Sequence, residues 1–212
     1  FMIVTLMFAQ AGYLTILYNT PWTRGDEGIV IAREARVLMG FDLSADLPRY
    51  MVALGLFAAV GGNANADIWT WMPVGPFTGP GAMEQFLEWA HDKDGWRTMV
   101  IRAIGSGEVL GMASYMRIRE AHGSAEIGCV AFGPKLKRTP EATEALALMA
   151  GHVFDLGYRR YEWKCNNGNL ASKRAAERFG FVFEGIFRND MVVKGVSRDT
   201  AWYSITDAEW PA

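Results

Sequence analysis

The loop that precedes the longest helix in the second half of the chain gathers three cations. Lys135, Lys137 and Arg138 stand directly before Thr139, which is followed by a proline, and that pair caps and opens a helix. A helix N-terminus presents free backbone N–H groups and a positive field, which a phosphate or pyrophosphate requires. Thr143, one turn into the helix, adds a hydroxyl. The pattern predicts a phosphate-binding loop, with an ordinary exposed basic loop capped by Thr139 as the alternative.

Length and composition bound the class of protein. A chain of 212 residues, half of them hydrophobic, fits one domain with a short extension. The formal net charge of -2 gives no general attraction to nucleic acid or to an anionic membrane, so we expect no nucleic-acid partner and only local anion binding. Two cysteines are too few for a disulfide framework, and the three histidines show no metal-ligand spacing with them. These features predict a reduced, cytoplasmic protein without a metal.

The start of the chain departs from this soluble pattern. No charge occurs from Phe1 to Thr23, which is long enough to cross a bilayer. Gln10, Gly12 and Pro21 interrupt the apolar run, however, and no basic flank precedes it as a signal peptide requires. We therefore expect soluble packing, or a non-native extension, in preference to a membrane anchor. Residues 1–34 are taken as an extension of unassigned role, and residues 35–212 as the domain.

The hydrophobic pattern predicts a mixture of helices and strands. Helical spacing marks Leu47 to Val60 and again Met83 to Ala90, and both helices should sit against a sheet. The remaining predicted elements, in chain order, are strands at Thr98 to Ile104, Val109 to Met116 and Ala125 to Phe132, the helix after Thr139, a strand at Arg159 to Cys165, the helix after Asn169, and strands at Phe181 to Gly185, Asp190 to Lys194 and Asp199 to Ile205. The third and fourth of these strands are joined by a helical crossover, so they should be parallel. The predicted fold class is α+β, or α/β in a loose sense.

Two motifs in the second half of the chain carry a family resemblance. The first is Asn169-x-x-Ser172, and the second is Gly180-Phe181-x-x-Glu184-Gly185. Together they resemble the signature of the GNAT superfamily of N-acetyltransferases, in its RimJ/RimL-type branch. The phosphate loop of that superfamily, Gln/Arg-x-x-Gly-x-Gly/Ala, fits less closely, because Lys137 replaces the first residue and Pro140 replaces the central glycine. The resemblance covers about residues 67 to 206.

This resemblance implies a fold and a cofactor. The GNAT fold is a mixed, mostly antiparallel sheet of about six or seven strands, with helices on both faces and a splayed parallel pair of strands at the cofactor slot. The implied reaction is direct attack by a primary amine, from a protein N-terminus or a small molecule, on the thioester of acetyl-CoA. The cofactor-binding residues it implies are Cys129, Val130, Ala131, Lys135, Lys137, Arg138, Thr139, Ala142, Thr143, Asn169, Ser172 and Lys173. For Asn169, a plain helix N-cap is an alternative that is compatible with cofactor contact.

Direct attack requires a base for the amine proton and an acid for the leaving thiolate. Many family members place a tyrosine acid seven residues after the asparagine, and here that position is Ala176. Ser172 is our first candidate for the acid, since a hydroxyl on the first turn of that helix would face the sulfur. Glu126, at the start of the strand beside the cofactor, is the first candidate base, and Glu184 is the second. The structural alternatives are a hydroxyl bonded to its own backbone and strand carboxylates kept polar near solvent or a turn.

The acceptor is less well specified than the cofactor. The residues predicted to bind it are Trp69, Trp71, Phe77 and Glu126. As single residues, aromatic side chains are more often part of the core than of a site. No ordered charge pattern in these loops identifies the amine. The chain is expected to be a monomer or a homodimer.

Several alternatives stand beside a direct-attack N-acetyltransferase. Cys129 and Cys165 on neighbouring strands suggest an acyl-cysteine route, although small buried core residues are the interpretation that we adopt. The absent tyrosine and the substituted glycine motivate a non-catalytic acyl-CoA-binding or regulatory module. The N-terminal apolar run motivates a membrane-tethered acyltransferase. A P-loop nucleotide hydrolase is excluded because no Gly-x-x-x-x-Gly-Lys-Ser/Thr occurs.

Overall fold

The computed structural model describes residues 37–38, 41–42, 46–92 and 94–210. The N-terminal apolar run and the extension predicted over residues 1–34 lie outside these described residues, as does the boundary at residue 35. The first described elements are two short antiparallel strands, β1 (Val37–Leu38) and β2 (Phe41–Asp42).

Every predicted helix is confirmed. The helices of the described residues are α1 (Asp46–Val60), a 3-10 helix (Asn63–Trp69), α2 (Pro80–Asp92), a second 3-10 helix (Glu120–His122), α3 (Pro140–Asp155) and α4 (Leu170–Arg178). Helix α3 starts at its predicted cap, where Thr139 Oγ1 accepts from the N–H of Ala142 at 3.3 Å. Helix α4 starts in the same way, because Asn169 Oδ1 accepts from the N–H of Ser172 at 3.1 Å. The two helices that flank the candidate site therefore have fixed N-termini.

The main sheet has six strands in the spatial order β3-β4-β5-β6-β8-β7. Their bounds are β3 (Arg97–Arg102), β4 (Val109–Arg119), β5 (Ser124–Phe132), β6 (Arg160–Asn166), β7 (Val182–Val193) and β8 (Val196–Thr206). Strands β5 and β6 are parallel, and every other neighbouring pair in this sheet is antiparallel. The mixed α+β fold and the parallel pair joined by a helical crossover are both confirmed.

Strand β7 differs from the prediction. We expected separate strands at residues 181–185 and 190–194, whereas the chain forms a single strand from Val182 to Val193. Its register with β8 shifts between Phe183 and Gly185 and again between Phe187 and Met191. These irregularities absorb the polar residues between the two apolar segments, and a bulged strand can stay in a sheet where the sequence pattern looks broken.

The two faces of the sheet are covered differently. On one face, Tyr161, Trp163 and Cys165 of β6 enter a core that is closed by α3 and α4, which confirms their predicted alternation. On the other face, α1, α2 and the first 3-10 helix pack on β3, β4 and part of β5, around residues such as Leu56 and Met112. Over β6 and β8, that second face carries charged and polar side chains. The parallel pair β5–β6 therefore lies between a helix-covered half and a polar half.

Within the described ranges, no single helix is long and apolar enough to cross a membrane. The helices Tyr50–Val60 and Asn63–Trp69 are long and apolar enough only when they are taken together, and they are bent by 88° where they meet.

Candidate active site

Strands β5 and β6 pair only over their first halves. The paired residues run from Ser124 with Arg160 to Ile127 with Trp163, while β5 continues to Phe132 and β6 to Asn166. Segments 128–132 and 164–166 therefore border an open slot between two parallel strands. Backbone groups that face such a slot are free to bind an extended ligand as a neighbouring strand would. The predicted splay of the parallel pair is confirmed.

A bulge in β5 marks the start of this slot. The register between β4 and β5 shifts between Met112 and Ser114, and Cys129, opposite the shift, has a φ of 47°. Gly128 precedes it, and a Cβ on that glycine would lie 2.3 Å from the sulfur of Met116. A larger residue here would therefore require the Met116 side chain on β4 to move, at the point where β5 leaves β6.

The hydroxyl of Ser172 lies beside β6 at the slot. It accepts a hydrogen bond from Trp163 Nε1 at 3.0 Å and lies next to the thiol of Cys165. A hydroxyl that accepts a hydrogen bond still has its own proton to donate. Because Asn169 caps the helix through the backbone N–H of Ser172, the serine side chain is not used by the cap. The structure thus places a hydroxyl donor where the parallel strands separate.

The two cysteines are poorly suited to form a covalent intermediate. Burial raises the pKa of Cys129 to about 12. Burial also raises the pKa of Cys165, against the opposing effect of a hydrogen bond with Ser172. A thiol that stays protonated near neutral pH is a weak nucleophile. Their chemistry therefore favours the interpretation as packed core residues.

The basic loop before α3 is on the surface. Lys135 Nζ lies 2.7 Å from Glu108 Oε1, and Lys137 Nζ lies 3.3 Å from Asp67 Oδ2. Arg138 is exposed and has a φ of 63°. Exposed ion pairs contribute little to stability, so a polyanion can compete with the two carboxylates for these cations. The loop keeps its three cations close to the start of α3.

The turn also uses some of its own backbone donors. The N–H of Lys137 donates to the carbonyl of Gly133 at 3.1 Å, and the N–H of Thr139 donates to the carbonyl of Leu136 at 3.3 Å. Thr139 Oγ1 also donates to the Leu136 carbonyl at 2.9 Å. Lys137 therefore offers a phosphate its side chain rather than its backbone N–H, while Thr139 already donates both its N–H and its hydroxyl proton within the turn.

A cavity of about 180 Å³ lies between α3 and α4. Thr143 of α3 and Phe179, directly after α4, line its walls. Ile127 and Trp163, the last residues paired between β5 and β6, also line it. The cavity therefore lies against the last paired residues of β5 and β6, on the helix-covered face of the sheet.

Glu126 lies at the other side of the parallel pair. Its side chain is 6% exposed, and Oε2 accepts from Arg117 Nη1 at 2.9 Å and from Lys164 Nζ at 2.7 Å. The other oxygen, Oε1, lies 3.5 Å from the position that a Cβ on Gly128 would take. Both cations thus hold one oxygen, while the second lies near Gly128, the first residue of β5 beyond its pairing with β6.

Lys164 connects this carboxylate to the rest of the polar face. Its side chain is only 5% exposed, and Nζ also lies 3.4 Å from Glu162 Oε2. The ammonium lies 3.7 Å from the centre of a ring of Trp202. A buried cation is tolerated only when it is paired, and two carboxylates and an aromatic face satisfy that requirement here.

Glu184, the second candidate base, belongs to an ion pair away from the slot. Its carboxylate lies 2.5 Å from Arg160 Nη2, and it also accepts from Ser204 Oγ at 2.7 Å. The hydrogen bond from Arg160 lowers the pKa of Glu184. Glu184 is on β7, which β8 separates from β6. Its structural alternative, a strand carboxylate kept polar by its neighbours, accounts for these contacts.

The predicted acceptor aromatics occupy two different environments. Trp69 is fully buried, with Nε1 donating to the carbonyl of Val60 at 2.7 Å, and Phe77 packs against it at 4.8 Å between ring centres. Trp71 is 41% exposed, and its ring reaches within 3.3 Å of the position for a Cβ on Gly168, beside α4. Of the three, Trp71 alone presents its surface near the slot, while the other two support the loop from the core.

A family model for the acetyltransferase (GNAT) domain matches residues 44–182, more than half of the chain. The chain belongs to the GNAT acetyltransferase family. The enzymes of this family use acetyl-CoA as their acetyl donor, and membership favours an acetyltransferase over the non-catalytic module.

Solved GNAT structures agree with this assignment. A GCN5-related N-acetyltransferase from Brucella melitensis is 48% identical, with a TM-score of 0.71, over 76% of this chain and 73% of that chain. A probable acetyltransferase of the GNAT family from Chromobacterium violaceum is 44% identical, with a TM-score of 0.70, over 79% of this chain and 83% of that chain. A spermidine N-acetyltransferase from Vibrio cholerae, in complex with CoA and spermine, shares the fold at 17% identity and a TM-score of 0.59, over 78% of this chain and 94% of that chain. A comparison with curated proteins found no match.

Two features of this GNAT site were not predicted. Trp163 was assigned only to a core face and Lys164 only to the opposite face, yet they contact Ser172 and Glu126 respectively. The alternation of tyrosine, tryptophan and cysteine with charged residues on a central strand was the signal for a polar site on one face. Among the described residues, no group of three or more His, Cys, Asp or Glu side chains is arranged to hold a metal ion.

Proposed function

We propose that this protein is an N-acetyltransferase of the RimJ/RimL-type branch, which transfers the acetyl group of acetyl-CoA to a primary amine by direct attack. One observation carries the proposal: β5 and β6 part at a point with the hydroxyl of Ser172 on one side and the carboxylate of Glu126 on the other. The acceptor is a protein N-terminus or a small-molecule amine. The branch is supported by Asn169-x-x-Ser172 at the start of α4. The cytoplasmic location rests on cysteine usage and is part of the same proposal.

The residues of the slot fit acetyl-CoA. The segment Cys129 to Ala131 of β5 offers backbone groups to the extended arm of the cofactor. At the start of α3, we assign the backbone N–H groups of Arg138 and Glu141 to the pyrophosphate, together with the cations of the loop and the hydroxyl of Thr143. Lys173, whose Nζ donates to Asn167 Oδ1 at 2.9 Å, adds a cation at the first turn of α4. When bound there, acetyl-CoA supplies the thioester carbonyl that the amine attacks and the thiol that leaves.

Glu126 and Ser172 divide the proton transfers. Glu126 Oε1 accepts the amine proton, directly or through a water molecule, while Arg117 and Lys164 hold Oε2 and fix the orientation of the carboxylate. Ser172 donates its proton to the leaving sulfur. Trp163 holds the serine oxygen from the opposite side, so the O–H bond is directed away from the indole.

The proposal is tested by mixing the protein with acetyl-CoA and a panel of primary amines and N-terminal peptides, and following the release of free thiol. Acceptor-dependent thiol release is expected, and its absence with every acceptor would refute the proposed function. Glu126→Gln should lower kcat/KM by about 100-fold or more, the size of a lost general base. Glu162→Gln is the matched control, because Glu162 also pairs with Lys164 but is not beside Gly128. We expect Glu162→Gln to keep kcat/KM within about threefold, a change too small for a lost proton transfer. Equal losses in the two variants would assign Glu126 a structural role only.

A further inference from the structure

A row of buried hydrogen-bond donors runs along one face of β8. Arg198, Thr200 and Trp202 alternate along the strand, so their side chains point to the same face. Arg198 Nε, Thr200 Oγ1 and Trp202 Nε1 are all buried, and none has a hydrogen-bond partner among the described residues. A buried donor without a partner costs about 1–3 kcal/mol, so three in a row call for a physical reason.

The row lies on the polar face, next to the candidate base. Trp202 pairs across the sheet with Lys164, which binds Glu126, and Thr200 pairs with Asn166 at the end of the slot. Arg198 also interacts electrostatically with Glu126. These three donors therefore face the side from which an amine would approach Glu126.

An open cavity lies beside this row, on the neighbouring strand β7. The bulged segment of β7 from Phe187 to Asp190 lines an open cavity of about 640 Å³. The Phe187 ring packs on Trp202 with 4.8 Å between ring centres. Asp190, at the other end of the segment, interacts electrostatically with Arg198. Two of the residues that line the cavity, Phe187 and Asp190, thus interact with the last and the first member of the row.

Arg198 has little compensation for its charge. The residue is only 9% exposed, and burial lowers its pKa, an effect that Cys165, Asp190 and Glu126 oppose. Asp190 is exposed, so solvent screens its charge. Glu126 is already paired with two other cations. A buried guanidinium in this position is stabilised by an additional anion.

We propose that Arg198 binds a carboxylate of the acceptor, and that Thr200 and Trp202 donate to the same carboxylate. The preferred substrate is then a small amine that also carries a carboxylate, such as an amino acid. This inference rests on the proposed N-acetyltransferase function and names the substrate class of that site. Arg198 is then a specificity-determining residue: it holds the anionic end while the amine lies at Glu126. A carboxylate satisfies both the charge of the guanidinium and its planar arrangement of donors.

The charges on this face also disfavour a polyamine. Three cations, Arg117, Lys164 and Arg198, interact with the buried carboxylate Glu126, and Lys164 also pairs with a second buried carboxylate, Glu162. A molecule with several ammonium groups would bring like charges next to these three cations. An amino acid brings one anion and, once its amine is deprotonated for attack, no additional cation.

The test compares matched acceptors. Leucine and phenylalanine are each offered as the free acid and as the α-carboxamide, together with spermidine, and kcat/KM is measured by thiol release from acetyl-CoA. The free acids should exceed their amides by about 10-fold or more, the contribution of a charge-assisted hydrogen bond. Arg198→Met should lower kcat/KM for the acids by about 10- to 100-fold and change the amides by less than about threefold. Arg102→Met removes a guanidinium from β3, at the opposite edge of the sheet, and should change neither class.

The outcomes separate the inference from the function that underlies it. Thiol release with amides or spermidine at rates equal to or above those with the acids would overturn the substrate class and leave the acetyltransferase function standing. Equal losses on acids and amides in Arg198→Met would overturn the assigned role of Arg198. If none of the acceptors gave thiol release, the function would be refuted and this inference with it. If Arg198→Met fails to fold, Arg198→Lys replaces it, and the charge-retaining variant should keep a preference for acids that is weaker than in the wild-type protein.

Discussion

The role of Ser172 as proton donor is open to a direct test by Ser172→Ala. The substitution removes the hydrogen bonds of the hydroxyl with Trp163 Nε1 and with Cys165, and leaves the Asn169 cap intact because that cap uses the backbone N–H of residue 172. The indole N–H loses its partner at a partly buried position, which costs about 1 kcal/mol. Alanine recovers part of this cost because it has a higher helix propensity than serine. The fold should therefore be almost unaffected.

The effect on turnover should be much larger than the effect on stability. General acid catalysis typically contributes about 10²- to 10⁴-fold, and a thiol with a pKa near 8.5 is already a fair leaving group. We therefore expect the lower end of that range, a loss of about 100-fold in kcat, which corresponds to about 2.7 kcal/mol of transition-state stabilisation. Cofactor affinity, measured by calorimetric titration of CoA, should change by less than about threefold because the contacts that we propose for CoA are made mainly by the backbone of β5 and by the phosphate loop.

Trp163→Phe is the matched control. It removes the hydrogen bond from the indole but keeps the serine hydroxyl, and because Trp163 is a buried core residue it should cost more stability than Ser172→Ala. The two variants should thus fall in opposite order: Trp163→Phe lower in melting temperature, Ser172→Ala lower in kcat. A kcat for Ser172→Ala within twofold of wild type, or equal losses of kcat in both variants, would refute the role of the hydroxyl as the acid.

Two further predictions concern stability. Gly133→Ala should destabilise the protein by about 1–3 kcal/mol, because its Cβ would meet two backbone carbonyl oxygens at 2.7 and 2.8 Å. Gly151→Ala in α3, where the atom nearest to the new Cβ is 3.9 Å away, should instead stabilise it by up to about 1 kcal/mol. Urea unfolding measures both changes in the free energy of unfolding, and changes of the same sign would contradict this reasoning. Burial raises the pKa of Glu162, but the hydrogen bond from Arg160 and the charges of nearby cations outweigh it and lower the pKa below 4.5. The ionised carboxylate therefore stabilises the fold fully above pH 4.5, and this stabilisation is lost as the pH falls through the lower pKa of the folded state. In thermal melts from pH 7 to 3, the melting temperature of Glu162→Gln should thus fall less steeply than that of the wild-type protein. Parallel curves for the two proteins would contradict this.

Much of the fold follows from local patterns in the sequence. The alternation of Tyr161, Trp163 and Cys165 predicted a strand with one buried face, and the Thr139 and Asn169 caps predicted the starts of both helices at the site. These features depend on residues within a few positions of each other. The continuous strand β7 was not predicted, because its bulges are defined by the register with β8 rather than by its own sequence.

The candidate site was only partly predictable for a related reason. Glu126 and Ser172 were selected from their positions on single elements, and their identities as candidates did not require the tertiary structure. The ammonium of Lys164 reaches Glu126 only when β6 lies parallel to β5 in the observed register, and Arg198 lies near them only because β8 pairs with β6. Contacts across a sheet between distant segments leave no spacing in the sequence, so the cations on this face could not be placed beforehand.

The replacement of the expected tyrosine by Ala176 has a structural explanation. Ala176 is fully buried, and its carbonyl accepts from the N–H of Phe181, so the position is closed by the chain that leaves α4. Ser172 is four residues earlier, and residues four apart share one face of a helix. The serine therefore occupies the same face one turn nearer to the slot, where Trp163 and Cys165 are its neighbours. In this structure a tyrosine at position 176 would have to displace core side chains, whereas the hydroxyl of Ser172 reaches the slot without any rearrangement. The packing of α4 therefore supports Ser172, rather than a residue at position 176, as the proposed acid.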